Sequence, residues 1–458
     1  MEKNYQKFLD KKELLFKPVG FEPTMKISSI LYPFQRDITI WALRKGRACL
    51  FEDCGLGKTP QQLEWGKHIS NKEKAPVLIV APLAVAEQTK QLGDTLFNVP
   101  VTICESQKDV KKGVNITNYE KLHKFNGSSF CGIVLDESSI LKNMSGKIRN
   151  QIIDMFSTTP YRLACSATPS PNDYMELGNH SEFLGIMTYS EMLSMFFIND
   201  SGDTGQWRLK KHAEERKFWE WVCSWAVMLS NPSDLGYKQE GFDLPELKYF
   251  EHKIPAKKSN FGFFINEAKT MDERRQIRRE TIPERCNYAA ELINKTNDQW
   301  LIWCGFNEES QLLTKLIKGA EEITGSTDYG LRKEIMLGFT NKKVKRLVTK
   351  PKIAGFGMNW QNCNKMVFVG LSDSWEQLYQ AIRRVWRFGQ TEITECHIVI
   401  EEREGAVLKN IKRKDDQAKH MMKNILTQTK DIVKQEINNK IIKKEQIKIK
   451  MKLPLWMN

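Results

Sequence analysis

Residues 51–59 read FEDCGLGKT, a set of types suited to holding a polyphosphate. Gly55 and Gly57, on either side of Leu56, let backbone N–H groups close on phosphate oxygens, and a helix opening at Lys58-Thr59 adds the positive end of its dipole. Lys58 would reach the β- and γ-phosphates, and the Thr59 hydroxyl would hold Mg²⁺. The strict phosphate-loop pattern has glycine where this chain has Glu52, so the match departs at its first position. Further on, GIVLDE (132–137) is an apolar run ending in Asp136 and Glu137. A carboxylate at a strand's C-terminal end, in the sheet of a phosphate loop, suits Asp136 to organise Mg²⁺; Glu137 would orient and activate the attacking water. LACSATP (163–169) ends another run at Ser166, Ala167 and Thr168, a tripeptide whose hydroxyls would link the hydrolysis site to movement elsewhere. Gln35, in LYPFQRD (31–37), offers the donor and acceptor that an adenine edge requires.

A second chemical cluster lies near the C-terminus. SWEQLYQAIRRVWRFGQ (374–390) has the apolar spacing of a helix, with Gln380, Arg384 and Arg387 on one face. Trp375, Leu378, Ile382, Val385 and Trp386 would anchor the other side. Guanidinium groups are permanently charged forks suited to the charge spreading over a transferring γ-phosphoryl group. A finger of this kind is typically worth about 10³–10⁵ in rate. Arg383 falls outside this arrangement and receives no role from the sequence.

The elements that must carry these residues follow from hydrophobic patterning. ACLFE (48–52), VLIVAP (77–82), VNITNY (114–119), GIVLDE and YRLACSAT (161–168) alternate with helical stretches. Runs this apolar fit strands buried on both faces of a parallel sheet. QWLIWCGF (299–306), VKRLVTK (344–350), KMVFVGL (365–371) and TECHIVI (394–400) repeat the pattern. The expected fold class is therefore α/β, with two tandem nucleotide-fold lobes. Their expected limits are 31–185 and 286–403, after an N-terminal extension (1–30). Between them, 186–285 reads as a helical insertion, with KKHAEERKFWEWVCSWAVMLS (210–230) as a tryptophan-rich helix. Residues 404–458 read as a basic, mostly helical tail.

At 458 residues, 41% apolar and 28% charged, the chain has the size and balance of a multi-domain globular protein. It has no apolar run long enough to span a bilayer, no secretory leader at its start and no CxxC pair among ten cysteines. These features favour a reduced, cytoplasmic setting. The net charge of +14 favours a polyanionic partner, and nucleic acid leads. Residues 411–458 hold 13 Lys and Arg against five Asp and Glu, and DERRQIRRETIPER (272–285) is a second basic cluster. The tail's lysines would either lie along DNA or be solvated on a helix packed against the second lobe.

PFQRD, CGLGKT, VLIVAPLAVAEQT, ITNYE, VLDESSILKN and SATP occur in the order of superfamily 2 helicase-like ATPases. GLGKT, NYE and LKN look most like the Swi/Snf-type branch, and QAIRRVWRFGQ resembles that family's last signature. The resemblance implies two RecA-like lobes and hydrolysis of ATP, with Mg²⁺, to move along duplex DNA as a monomer. It implies ATP contacts from Gln35, Gly55, Leu56, Gly57, Lys58, Thr59 and Gln380, with catalysis by Lys58, Glu137, Arg384 and Arg387. ITGSTDYGLRKEIMLGFT (323–340) and TKPKIAGFGMNWQNCN (349–364) resemble further segments of the second lobe. Contacts to nucleic acid are implied for Pro82, Lys350, Lys352, Gly355, Gly357 and Asn359. Where relatives often read DEAH or DEAD this chain has DESS, leaving Ser138 and Ser139 without an assigned role. The insertion and the WRFGQ ending resemble compact versions found in phages and prophages, acting inside a bacterial or infected cell. Two other readings stay open: a strand-separating DNA or RNA helicase, and a nucleic-acid-binding scaffold with a degenerate nucleotide site.

Overall fold

The computed structural model describes residues 18–82, 85–143, 146–199, 207–211, 213–238, 241–255, 270–354 and 359–437. Its first lobe is built on β1 (Arg47–Glu52), β2 (Val77–Ala81), β3 (Val101–Ile103), β4 (Val114–Asn118), β5 (Gly132–Asp136) and β6 (Tyr161–Cys165). A small antiparallel pair, β7 (Phe197–Asn199) and β8 (Trp207–Leu209), follows, and then β9 (Ala226–Leu229). The large sheet runs β3-β4-β2-β5-β6-β1-β9 and every pairing in it is parallel. Val77–Ala81, Gly132–Asp136 and Tyr161–Cys165 are buried at every position, as strands covered on both faces must be.

The second lobe carries β10 (Leu247–Ile254), β11 (Trp300–Cys304), β12 (Ala320–Glu322), β13 (Arg346–Thr349), β14 (Lys365–Val369) and β15 (Thr394–Glu401). They form a parallel sheet in the order β10-β15-β14-β11-β13-β12. Alternation divides its core in two. Leu301, Trp303, Met366, Phe368, Cys396 and Ile398 face one side, whereas Trp300, Ile302, Val367, Val369 and Val399 face the other. The chain therefore has the two RecA-like lobes that its sequence suggests.

Segment 186–285 departs from the expected helical insertion. It contributes an outer strand to each sheet: β9 pairs with β1, and β10 pairs with β15. The tryptophan-rich stretch is a helix only over Ala213–Cys223. The next apolar run, AVML, is buried at all four positions and lies in the sheet, where its backbone gains partners along β1. Nor is the 272–285 cluster a free basic surface. Arg274 pairs with Asp373 (2.7 Å), Arg278 donates to the Leu371 carbonyl (2.8 Å), and Arg285, fully buried, pairs with Glu309 (2.8 Å).

The described part of the tail is one helix, Gly405–Ile437. Val407, Leu408 and Ile411 enter the second lobe's core, while Met421, further along the same helix, enters the first lobe's. Lys414 donates to Asn172 (3.3 Å) of the first lobe and to the Asp373 carbonyl (3.4 Å) of the second. The helix thus spans both lobes instead of resting on one. Among the described residues no helix is long and apolar enough to cross a membrane.

Candidate active site between the lobes

β6 lies between β1 and β5, so the phosphate loop and Asp136 leave the same edge of the sheet two strand spacings apart, about 10 Å. Ser166–Thr168 leave β6 and fall between them. Gly57 has φ +84°, and a Cβ there would lie 2.2 Å from Gln35 Nε2, so both conformation and space demand glycine. Gln35 is buried; its Nε2 donates to the Leu56 carbonyl (2.7 Å) and its Oε1 accepts from Tyr32 N–H (2.9 Å). The amide holds the loop directly, and each of its two atoms keeps capacity for one more hydrogen bond. Lys58 Nζ donates to the carbonyls of Glu52 (2.7 Å) and Asp53 (3.1 Å), folded back along the loop it serves. Thr59, half-buried, follows in the first turn of helix Lys58–Glu73.

Glu52 stands where a glycine was expected. It is fully buried beneath the loop, and its two oxygens accept from the Gln61 amide at 2.9 and 2.7 Å. Burial pushes its carboxyl up to about 7, against the opposing pull of Lys58. The departure from the pattern is therefore a packed polar pair under the loop.

Asp136 Oδ1 accepts from Gln62 (2.7 Å), and Tyr119 O–H donates to the Asp136 carbonyl (2.6 Å). Glu137 follows at φ +56°, a conformation rarely adopted by a side chain of this size. Burial, and then the neighbouring Asp136, push Glu137 up to about 7; burial also raises Asp136. Behind them Ser138 Oγ is 3.0 Å from His180 Nε2, both fully buried. Burial lowers His180 to about 4, so it is neutral near pH 7. Ser138, left without a role by the sequence, ties the acidic pair to helix Leu177–Leu184.

The arginine segment is helical only over Trp375–Ile382, not to Gln390. Arg383 N–H still bonds to the Tyr379 carbonyl (3.0 Å), but Arg384 and Val385 tighten onto Ala381 (3.2 Å) and Ile382 (3.1 Å). Trp360 N–H takes the Arg384 carbonyl (2.9 Å), which ends the helical ladder. Gln380 and Arg384 nevertheless meet: Arg384 Nη2 donates to Gln380 Oε1 (2.9 Å), and Gln380 Nε2 to Glu137 Oε2 (3.5 Å). Arg384 is buried and its charge acts on both Asp136 and Glu137. Burial, and then Arg384, press Arg387 down to about 10, so two like charges are crowded together there.

Several contacts were invisible in the sequence. Glu376 accepts from Thr168 Oγ1 (3.3 Å) and pairs with Lys142, joining the Ser166–Thr168 segment to the second lobe. Its position one helical turn before Gln380 was a usable signal. Arg383, unassigned from sequence, reaches the phosphate loop: its Nη2 pairs with Asp53 and donates to the Cys54 carbonyl (3.0 Å). Of the expected nucleic-acid contacts, Pro82 closes β2 with its carbonyl on Val85 N–H (3.0 Å), Lys350 donates to Asn307, and Lys352 is exposed. Asn359 is half-buried beside Trp360; Gly355 and Gly357 lie outside the described residues.

The SNF2-related domain model matches residues 35–200, and the helicase conserved C-terminal domain model matches 284–389. The chain belongs to the superfamily 2 helicase-like ATPases, Swi/Snf-type branch. Comparison with the curated proteins found no similar sequence. Among similar solved structures is the SWI2/SNF2 ATPase core of Sulfolobus solfataricus in complex with double-stranded DNA. It is 18% identical, with a TM-score of 0.42 over 90% of this chain and 98% of that one. In this Swi/Snf-type chain the donor set fits Mg²⁺: Thr59 and Asp136 offer hard oxygen atoms, and Gln62 engages only one Asp136 oxygen. Among the described residues no three His, Cys, Asp or Glu side chains form a metal cage, and an ion carried largely by phosphates and water needs none.

Proposed function

We propose that this chain is a DNA translocase that couples ATP hydrolysis between its lobes to movement along duplex DNA. One arrangement supports the reading: Arg384 of the second lobe donates to Gln380, which reaches Glu137 of the first, and its charge acts on Asp136 and Glu137, with Arg387 crowded beside it. Crowded like charges are relieved by an incoming polyanion, which suits Arg384 and Arg387 to the γ-phosphate.

In this reading the loop's N–H groups and Lys58 hold the phosphates, Lys58 leaving the Glu52 and Asp53 carbonyls to do so. Gln35 uses its remaining donor and acceptor on adenine. Thr59 and Asp136 would hold Mg²⁺, which supplies charge neutralisation on the β- and γ-phosphates. Glu137 orients a water and takes its proton, and Arg384 and Arg387 stabilise charge on the phosphoryl oxygens. Because the arginines come from the second lobe, turnover requires closure. Thr168–Glu376 and Gln380–Glu137 transmit the hydrolysis state across the cleft. Family membership and the +14 charge support DNA as the track, gripped at phosphates by groups including Lys350 and Lys352.

The test is ATPase activity measured with duplex DNA, single strands and RNA across a salt series. Stimulation by duplex DNA that weakens with salt is expected; stimulation by RNA alone overturns the reading. Displacement of a triplex strand without separation of the duplex distinguishes translocation from unwinding. A scaffold with a dead site would show no turnover in any of these assays.

A further inference from the structure

We propose that Arg383 is a positioning residue that neutralises Asp53 across the cleft, so that nucleotide affinity in the first lobe depends on the second. The inference rests on reading residues 51–59 as the ATP phosphate loop.

Asp53 is the first residue after β1. Its Oδ1 accepts from Cys54 N–H (2.6 Å) and from Tyr379 O–H, and its Oδ2 pairs with Arg383 Nη2. The same Arg383 nitrogen donates to the Cys54 carbonyl (3.0 Å). Asp53 N–H bonds to the Leu229 carbonyl (2.8 Å), so the sheet fixes the carboxylate's backbone. Every second-lobe partner here comes from one segment, Tyr379 to Arg383. The Arg383 guanidinium carbon lies 4.8 Å from the centre of the Trp386 ring, and the side chain is 3% exposed. Burial alone would lower the Arg383 pKa, but Asp53, Tyr379 and Cys54 together outweigh it and the net direction is upward. Next to the pair, a Cβ on Gly55 would lie 3.0 Å from Phe388 N, so the second lobe also rests on the loop backbone.

With the lobes apart, Asp53 keeps its charge beside the loop that must receive a triphosphate. Like charges at that range oppose binding, more strongly as water is excluded. With the lobes together, Arg383 cancels that charge and Tyr379 satisfies the carboxylate. Closure thereby raises nucleotide affinity, and by reciprocity nucleotide favours closure. Arg384 and Arg387 act on the phosphoryl group; Arg383 acts on the loop through Asp53.

The test measures equilibrium binding of a fluorescent ATP analogue to the full chain and to three variants. Arg383→Gln leaves Asp53 charged and is expected to weaken binding about tenfold, corresponding to about 1.4 kcal/mol. Asp53→Asn removes the charge and is expected to bind at least as tightly as the natural chain. The double variant Asp53→Asn with Arg383→Gln is expected to recover most of the lost affinity. A double variant as weak as Arg383→Gln overturns the proposal, because a merely structural role would not be rescued. Weakened binding by Asp53→Asn alone also overturns it, and a thermal melt of each variant excludes misfolding as the cause. The ATP reading is checked separately by Lys58→Ala: nucleotide binding unaffected by that change defeats the phosphate-loop assignment, whatever Arg383 does.

Discussion

The two lobes share one architectural turn and use it in opposite ways. At the end of β1, the loop leads into helix Lys58–Glu73, whose N-terminus has no acidic residue in its first turn. At the end of β11, Gly305 and Phe306 lead into helix Asn307–Leu316, and there the N–H groups of Gly305 (2.7 Å) and Phe306 (3.0 Å) already hold the Glu309 carboxylate. Glu309 also pairs with Arg285 at 2.8 Å, with both side chains essentially fully buried. A helix N-terminus after a parallel strand is an anion seat. In the proposed reading the first lobe keeps that seat for a phosphate, while the second fills it with its own Glu309. On that reading two similar folds make one nucleotide site, and the second lobe contributes arginines instead of a second cradle.

The largest effects should come from breaking the open seat and the groups that close it. Lys58→Ala is expected to abolish turnover while largely sparing DNA binding, measured by ATPase assay and by DNA mobility shift. Arg387→Ala removes a guanidinium from the second lobe and is expected to lower kcat about 10³–10⁵-fold. Persistent turnover in Lys58→Ala would mean that the seat after β1 is not the catalytic one, and the contrast between lobes would collapse.

The filled seat should respond as structure does. Glu309→Gln removes the carboxylate paired with the buried Arg285, with Glu404 the charge still acting on that guanidinium, and breaking such a pair costs at most about 3–5 kcal/mol. The loss should appear in chemical unfolding of the chain, with no direct effect on the ATP KM of the molecules that remain folded. A selective rise in KM without loss of stability would show that the second seat also reads nucleotide.

Much of the two-lobed fold was legible in the sequence. Strands β1, β2, β4, β5, β6, β11, β13, β14 and β15 lie within or nearly on the apolar runs that predict them, because a strand buried on both faces is apolar throughout. The edge strands were not legible. LKYFEHKI forms β10 with mostly exposed or half-buried side chains, so it lacks the apolar signal. AVML was absorbed into the preceding tryptophan-rich helix because a four-residue apolar run fits either structure. The chemistry-bearing types at the site were readable one motif at a time. Contacts between motifs, such as Arg383 with Asp53 and Ser138 with His180, depend on lobe docking and helix packing that no local spacing records.

A smaller and graded effect should come from pH. Burial and Asp136 push Glu137 up to about 7, so it is increasingly protonated as pH falls below that value and cannot then accept a proton from water. DNA-stimulated kcat/KM for ATP, which reports the free enzyme, should therefore rise from acid pH to a plateau above about 8, and at pH 6 it should be about tenfold below that plateau. A profile flat from pH 6 to 8 would remove Glu137 as the base while leaving the phosphate loop intact.

The smallest effect tests what the second lobe does at its rim, given that its inner seat is filled. Lys350 donates to Asn307, the first residue of the helix whose N-terminus holds Glu309, and Lys352 stands exposed beyond it. With the interior anion already supplied, an outer phosphate can be met only from the rim, by side chains of this kind. Lys350→Ala should therefore weaken duplex DNA uniformly across sequences and shallow the salt dependence of binding by about 0.9 in the log–log slope, the signature of one lost phosphate contact. ATP affinity without DNA should not change. An unaltered slope would assign Lys350 to the support of helix Asn307–Leu316, and the DNA grip of the second lobe would then have to come from other residues.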